Sequence, residues 1–289
     1  MLLGYSRQSY YQGIKSIQQK AYEADIIIEE VLRYRKHQKR IGTRKLFGEM
    51  NDFLKTHNFQ IGRDALFRLL AERGLLVTKR KRRGCITTIS RHRFKKYPNI
   101  ICDFIPICPN QLWVSDITYI YLGTGFAYLS LITDAYSRKI VGFYLSKDLS
   151  AKGPLQALKM ALKANQNIAG LIHHSDRGVQ YCCDAYVELL LDKKIKISMT
   201  ENGDPRENSI AERLNGILKQ ELLEEVFEDF ETAQKEIAIA CSTYNYLRPH
   251  GSIDNLKPAD AHMQTGEIKK RWKNYYQINK QKKAEQMIT

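Results

Sequence analysis

Apolar positions in the first part of the chain recur with helical spacing. Over residues 20–35 they fall at Ala24, Ile27, Ile28, Val31 and Tyr34, which predicts a helix. A second helix begins near Thr43, placed to cap it, and buries Leu46, Phe47, Met50, Phe53 and Leu54. After the break at Thr56-His57-Asn58, a third runs over residues 62–73 with Leu66, Leu69 and Leu70 inward and Gly74 as its stop. From Leu112 the period changes to that of strands. Residues 112–122 (LWVSDITYIYL) and 126–134 (FAYLSLITD) are rich in β-branched and aromatic side chains, and Gly123-Thr124-Gly125 between them reads as a hairpin turn. Further strands are predicted over 138–146, 170–174 and 195–199, and helices over 152–166, 184–194, 207–221 and 231–247. Three antiparallel strands followed by alternating helix and strand predict an α/β fold. It is a mixed five-stranded sheet with flanking helices, preceded by a small all-α region.

Charge divides the chain in the same place. The 289 residues carry a net +15. Residues 1–100 hold 23 Lys and Arg against 8 Asp and Glu, whereas the remainder holds 23 of each, so the whole excess lies in the front third. A basic front end on a neutral body suits an arm for a polyanion, of which nucleic acid is the commonest. Residues 79–96 contain nine Lys and Arg and no acid, and show no period. They predict a basic linker, led by Lys79, Arg80, Lys81, Arg82 and Arg83, that follows phosphates or lacks structure without them. The two helices before it, with Arg63, Arg68 and Arg73 on the outer side of the second, fit a helix-turn-helix or a plain helical hairpin. The six cysteines form no CxxC pair and read as free thiols of a cytosolic protein. No charged-then-apolar leader and no apolar run near 18 residues is present, which points away from export and membrane insertion.

The stretch Glu207–Glu221 sorts into two stripes as a helix. Ile210, Leu214, Ile217 and Leu218, less cleanly Glu221, fall on one side, while Asn208, Glu212, Asn215 and Lys219 fall on the other. Asp204, Pro205 and Glu207 supply start signals. Taken alone, this also describes an ordinary solvated helix. Two aspartates change the picture. Asp116 sits mid-strand, where a charge is costly unless paired or bound to a metal. Asp176 follows the fourth strand, at a carboxyl end where open sheets place their sites. Asp116, Asp176 and Glu212, brought to one point, would form a hard oxygen cage for Mg²⁺ or Mn²⁺. Asp134, the nearest rival, is assigned to capping the turn before Arg138.

WVSDITYI, ITDAYSRKIVGFYLS, HHSDRGVQY, ENSIAERLNGILKQE and YNYLRPHGSIDNLKPADAH, in this order, resemble the catalytic domain of insertion-sequence transposases of the IS-three group, within the retroviral-integrase superfamily. Asp176 and Glu212 are separated by 35 residues, as in that family's D,D-35-E set, and Lys219 matches its basic position seven residues later. The resemblance covers nearly the whole chain. It implies an RNase H-like fold and Asp116, Asp176 and Glu212 as catalytic and metal-binding acids with two ions. Lys219, two turns along the face of Glu212, is placed to touch DNA at a phosphate or a terminal base, and Asn208, one turn the other way, to orient Glu212 or the DNA. The resemblance divides the chain into an N-terminal helical segment (1–36), a helix-turn-helix-like DNA-binding region (37–78), a basic linker (79–105), an integrase-type core (106–265) and a basic tail (266–289). The implied activity is cleavage of element ends and strand transfer by a DNA 3′-OH. Double-stranded DNA is the implied partner and a homo-oligomer on DNA the implied assembly, in the bacterial cytoplasm on the nucleoid.

Glu207-Asn208-Ser209 replaces the family's usual Asp-Asn-Ala, a conservative change at a capping position. His173 and His174 are read as packing groups beside the site rather than ligands. The chain shows no heptad run and so resembles a downstream-frame product, for which an upstream helix-turn-helix protein or fusion is the expected partner. Two other readings stand beside strand transfer: a metal nuclease of the same fold that hydrolyses without joining, and a catalytically silent DNA-binding regulator of transposition.

Overall fold

The computed structural model describes residues 7–80, 92–102, 104–201 and 208–269. The chain forms two units: Met1–Arg82 with Gln220–Leu222, and Arg83–Lys219 with Leu223–Thr289.

Among the described residues the first unit is helical, with α1 (Arg7–His37), α2 (Thr43–Glu49), α3 (Asn51–Thr56) and α4 (Arg63–Glu72). Ile27 and Val31 of α1, Leu46 of α2, Leu54 of α3, and Leu66 and Leu70 of α4 meet with Ile41 and Met50 in one core. Helix α1 is far longer than the predicted 20–35. The predicted second helix breaks at Met50 into two. Thr43 is not the cap: Gly42 occupies that position without a side-chain bond, and Thr43 is buried as the first helical residue. Gly74 takes φ +65 and ends α4, a left-handed turn that a side chain would resist.

The second unit is built on β1 (Leu112–Leu122), β2 (Gly125–Asp134), β3 (Ile140–Ser146), β4 (Ile172–Ser175) and β5 (Lys196–Met199), in spatial order β3-β2-β1-β4-β5. The first three strands are antiparallel, and β4 and β5 join parallel to β1. This is the RNase H-like mixed sheet implied by the motifs. Helices α5 (Lys152–Ala164), α6 (Val179–Cys182), α7 (Asp184–Asp192), α8 (Ser209–Ile217), α9 (Phe230–Tyr246) and α10 (Pro258–Ala261) complete it. Helices α6 and α10, each a single turn, were not anticipated.

Strand alternation sorts β1 between two cores. Trp113 and Ile117 join Ala157, Leu158 and Ala161 of α5 and Tyr186 and Leu190 of α7. Leu112 and Val114 turn the other way, to Ile172 of β4 and Ala211 of α8, with Ile210 packed alongside. On β3, a Cβ at Gly142 would overlap the Ala157 carbonyl, so glycine is what lets α5 lie this close to the sheet.

The predicted helix over 207–221 is shorter than expected. Helix α8 begins at Ser209 and gives way at Leu218 to a π-helical turn over Leu218–Leu222. The start signals Asp204, Pro205 and Glu207 lie outside the described residues. So do Lys81, Arg82, Arg83 and Arg91 of the basic linker, and the tail from residue 270 onward.

Candidate active site

Asp116 follows Leu112 and Val114 on the face of β1 that meets α8. The parallel register pairs Leu112 with Ile172 and Val114 with His174, and just beyond the end of β4 Asp176 lies near enough for its charge to act on Asp116. Two carboxylates therefore come together where β1 parts from β4, the kind of crevice at strand ends that open sheets use for ligands. Ala211 of α8 docks onto Leu112, Val114 and Ile172, with Ile210 packed alongside, and the docked helix brings Asn215 to Asp116.

The contacts of Asp116 are few and specific. Its Oδ1 accepts the Ile117 N–H at 2.9 Å, and its Oδ2 accepts Asn215 Nδ2 at 2.7 Å. Removal from water raises its pKa most, the charge of Asp176 adds to this, and Glu212 contributes less; the two hydrogen bonds pull the other way. The net result is a carboxyl pushed up to about 7. Asp176 accepts the Gly178 N–H on Oδ1 at 3.0 Å, and its carbonyl accepts the Ser175 hydroxyl at 3.0 Å. Glu212 is exposed on the first turn of α8. Its charge is felt at Asp116, yet among the described residues no three His, Cys, Asp or Glu side chains lie close enough together to hold a metal ion.

Behind the acids lies a buried hydroxyl–imidazole cluster. His173 Nε2 is 2.9 Å from both Ser115 Oγ and Tyr186 Oη. Burial, and then His174, lower the His173 pKa to about 3, so the ring is neutral at any working pH. His174 Nδ1 lies 2.9 Å from Ser198 Oγ. The two imidazoles thus tie β4 to β1, α7 and β5, as expected of packing groups.

The rest of the predicted set is spread more widely. Asn208 is buried, and its Nδ2 donates to the Ser115 carbonyl at 2.9 Å, strapping the start of α8 to β1. Lys219 is half-buried in the π turn. Arg63 and Arg68 are exposed on α4, with Arg63 Nε 2.8 Å from Asp64 Oδ1. Lys79 is exposed and Arg80 half-buried, while Lys81, Arg82 and Arg83 lie outside the described residues. Asp134 is a turn organiser, as assigned. It is buried, and it accepts Ser137 N and Ser137 Oγ at 2.7 Å each and Asn110 N at 2.8 Å. The residue missed was Asn215. It had been placed on the polar stripe beside Glu212, and its one-turn spacing from that glutamate was the available signal.

Two family models, each described as an integrase core domain, match residues 106–205 and 193–258. The insertion element IS600 uncharacterized 31 kDa protein of Shigella sonnei is 32% identical over 265 residues, covering 89% of this chain and 95% of that protein. The transposase for insertion sequence element IS629, also from Shigella sonnei, is 32% identical over 205 residues, covering 71% of this chain and 67% of the relative. Among solved structures, the HTLV-2 integrase catalytic core domain in complex with magnesium is 19% identical at a TM-score of 0.43, covering 55% of this chain and 99% of that one. No helix among the described residues is long and apolar enough to cross a membrane. The chain belongs to the insertion-sequence transposases that carry an integrase core domain.

Proposed function

We propose that this chain is a divalent-metal-dependent polynucleotidyl transferase that cleaves element ends and joins them to target DNA, with Asp116, Asp176 and Glu212 as its acidic triad. The observation that carries this reading is the placement of Asp116 beside Asp176 at the parting of β1 and β4, with the Asp116 carboxyl pushed up to about 7 by burial and like charge. Such a site gathers negative charge without a basic residue among the groups that shift Asp116, and a cation relieves it. The donors are carboxylate oxygens, the hard set that suits Mg²⁺ or Mn²⁺. Asp116 and Asp176 would hold the ion, or a pair of ions, and Glu212 would complete the shell by turning its exposed side chain inward from α8. When bound, the metal supplies Lewis-acid stabilisation of the phosphoryl oxygens and lowers the pKa of the attacking hydroxyl.

The protein's own part is positioning. Strand β1 fixes Asp116, Asn215 orients its Oδ2, and the docked face of α8 sets how far Glu212 must reach. In strand transfer a 3′ oxygen forms a new bond to phosphorus while the bond to the leaving 3′ oxygen breaks. The number of phosphodiesters is conserved, and no covalent link to the protein is needed. DNA is engaged by the helical region over 37–78 through Arg63 and Arg68, by the basic run from Lys79, and by Lys219, with copies of the chain assembled on the DNA. The supporting feature is the concentration of the whole charge excess in residues 1–100.

The test is incubation with a labelled element-end duplex and a target duplex in Mg²⁺ or Mn²⁺. Cleaved ends and joined products are expected, both lost in Glu212→Gln. Cleavage without joining assigns hydrolysis alone, and unchanged products from Glu212→Gln would overturn the triad.

A further inference from the structure

The run of chain that carries Glu212 leaves the core before it ends. Helix α8 holds Glu212 on its first turn and Asn215 against Asp116, and it continues directly into the π turn over Leu218–Leu222. On the core side that turn is closed by one wide step, in which the Leu223 N–H donates to the Leu218 carbonyl at 2.8 Å. Leu218 and Leu223 are both buried. Gln220–Leu222, between them, group instead with the helical unit. A π turn holds one residue more than an α turn, and such insertions gather at functional positions.

The helical unit holds these residues by three separate means. The Gln220 carbonyl stands at a helix end, where carbonyls lose their donors, and it accepts Arg40 Nε at 3.0 Å. The same guanidinium donates to the Thr78 carbonyl. The Gln220 side-chain amide pairs with the main chain of Arg80: the Arg80 N–H donates to Oε1 at 3.1 Å, and Nε2 donates to the Arg80 carbonyl at 3.5 Å. Glu221 pairs with Lys45 of α2 at 2.9 Å, both side chains half-buried, where salt screens a charge pair less than at the surface. Arg40, Lys45 and Thr78 belong to the region 37–78 proposed to engage DNA, and Arg80 to the start of the basic run. Two cations of that region are thus committed to the end of the α8 run.

We infer that Gln220 and Glu221 are positioning residues through which the helical unit sets the α8 run and, with it, Glu212 and Asn215. The inference rests on the proposed triad and on DNA engagement by the helical unit. Glu212 stands eight residues before Gln220, about 12 Å along a helix, and one hydrogen-bonded element carries a shift from one to the other. A duplex bound at residues 37–80 restricts Arg40, Lys45 and the main chain at Thr78 and Arg80, and so restricts the α8 run before any metal arrives. Coupling of this kind between two sites is commonly worth about five- to 150-fold.

The test uses the full chain, metal-free, with a mixed-sequence DNA duplex as probe. It follows amide hydrogen exchange over residues 212–218 in the native protein, in Gln220→Ala, in Glu221→Lys, and in Glu221→Lys combined with Lys45→Glu. The duplex is expected to slow exchange over these residues about tenfold in the native protein. Gln220→Ala and Glu221→Lys are expected to bind the duplex yet lose the slowing. Adding Lys45→Glu to Glu221→Lys is expected to restore it, because the pair forms again with its charges exchanged. No catalysis enters this readout, so product loss in Glu212→Gln judges the triad and exchange judges the tether. Slowing that survives in Gln220→Ala, with or without a fall in thermal midpoint, would overturn the inference. So would native protein that binds the duplex with exchange over 212–218 unchanged.

Discussion

Asp116, half-buried, and Asp134, fully buried, stand on adjacent strands of one sheet, and they are opposite kinds of carboxylate. Asp134 is enclosed by donors, the Ser137 amide and hydroxyl and the Asn110 amide, so its charge is met where it stands. Asp116 has one side-chain donor, Asn215, and its strongest charged neighbours are acids. Donors satisfy a buried carboxylate where it stands, and like charge with few donors raises its pKa instead.

Substitution should separate the two. Asp116→Asn is expected to lower cleavage and joining by more than about a hundredfold, since even groups surrounding a metal ligand are commonly worth 10–100-fold. The same change should raise the thermal midpoint of the metal-free protein at pH 8, because it removes a charge that nothing there neutralises. A fall in both activity and midpoint would place Asp116 in the structural class with Asp134.

The pH dependence follows from the same contrast. A carboxyl raised from 3.8 to about 7 binds its proton more tightly in the folded than in the unfolded state. Stability from this group is fully present below about pH 4 and is lost as pH rises toward 7, with an upper bound on the order of 4 kcal/mol. Denaturant titrations of metal-free protein from pH 5 to 8 should show this decline. Asp116→Asn should flatten it, and Mg²⁺ should reverse it at the alkaline end. Asp134→Asn should behave otherwise. An amide turned toward three donors leaves at least one of them buried without an acceptor, costing about 2–4 kcal/mol at every pH in this range. The smallest effect is expected at Asn215→Ala. It should change stability by about 1 kcal/mol or less, since its Oδ1 is buried without a partner among the described residues and is removed as well. It should also raise the Mg²⁺ concentration needed for half-activation by about tenfold. An unchanged metal requirement would make Asn215 a packing residue only.

Much of the core was legible because alternation and turn chemistry are local. The strands 112–122 and 126–134, the glycine turn between them, and the role of Asp134 before Arg138 all follow from residues close in sequence, and the structure places them there. The boundaries of the helical front were less so. Thr43 had the chemistry of a cap, but Gly42 took that place because Thr43 was wanted in the core. The predicted helix over 207–221 ends earlier, because Leu218–Leu222 winds as a π turn.

What the sequence determined by itself was the order of elements, the basic front, and the acids worth pairing, because hydrophobic period, charge and motif spacing are written along one dimension. What only the tertiary structure decided was which groups meet. The pairing of β1 with β4 brings the charge of Asp176 to bear on Asp116, though sixty positions apart, and the docking of α8 brings Asn215 to Asp116 and buries Asn208 against Ser115. Burial and like-charge proximity arise only when distant segments share a space, and these are the terms that lift the Asp116 carboxyl out of the ordinary range.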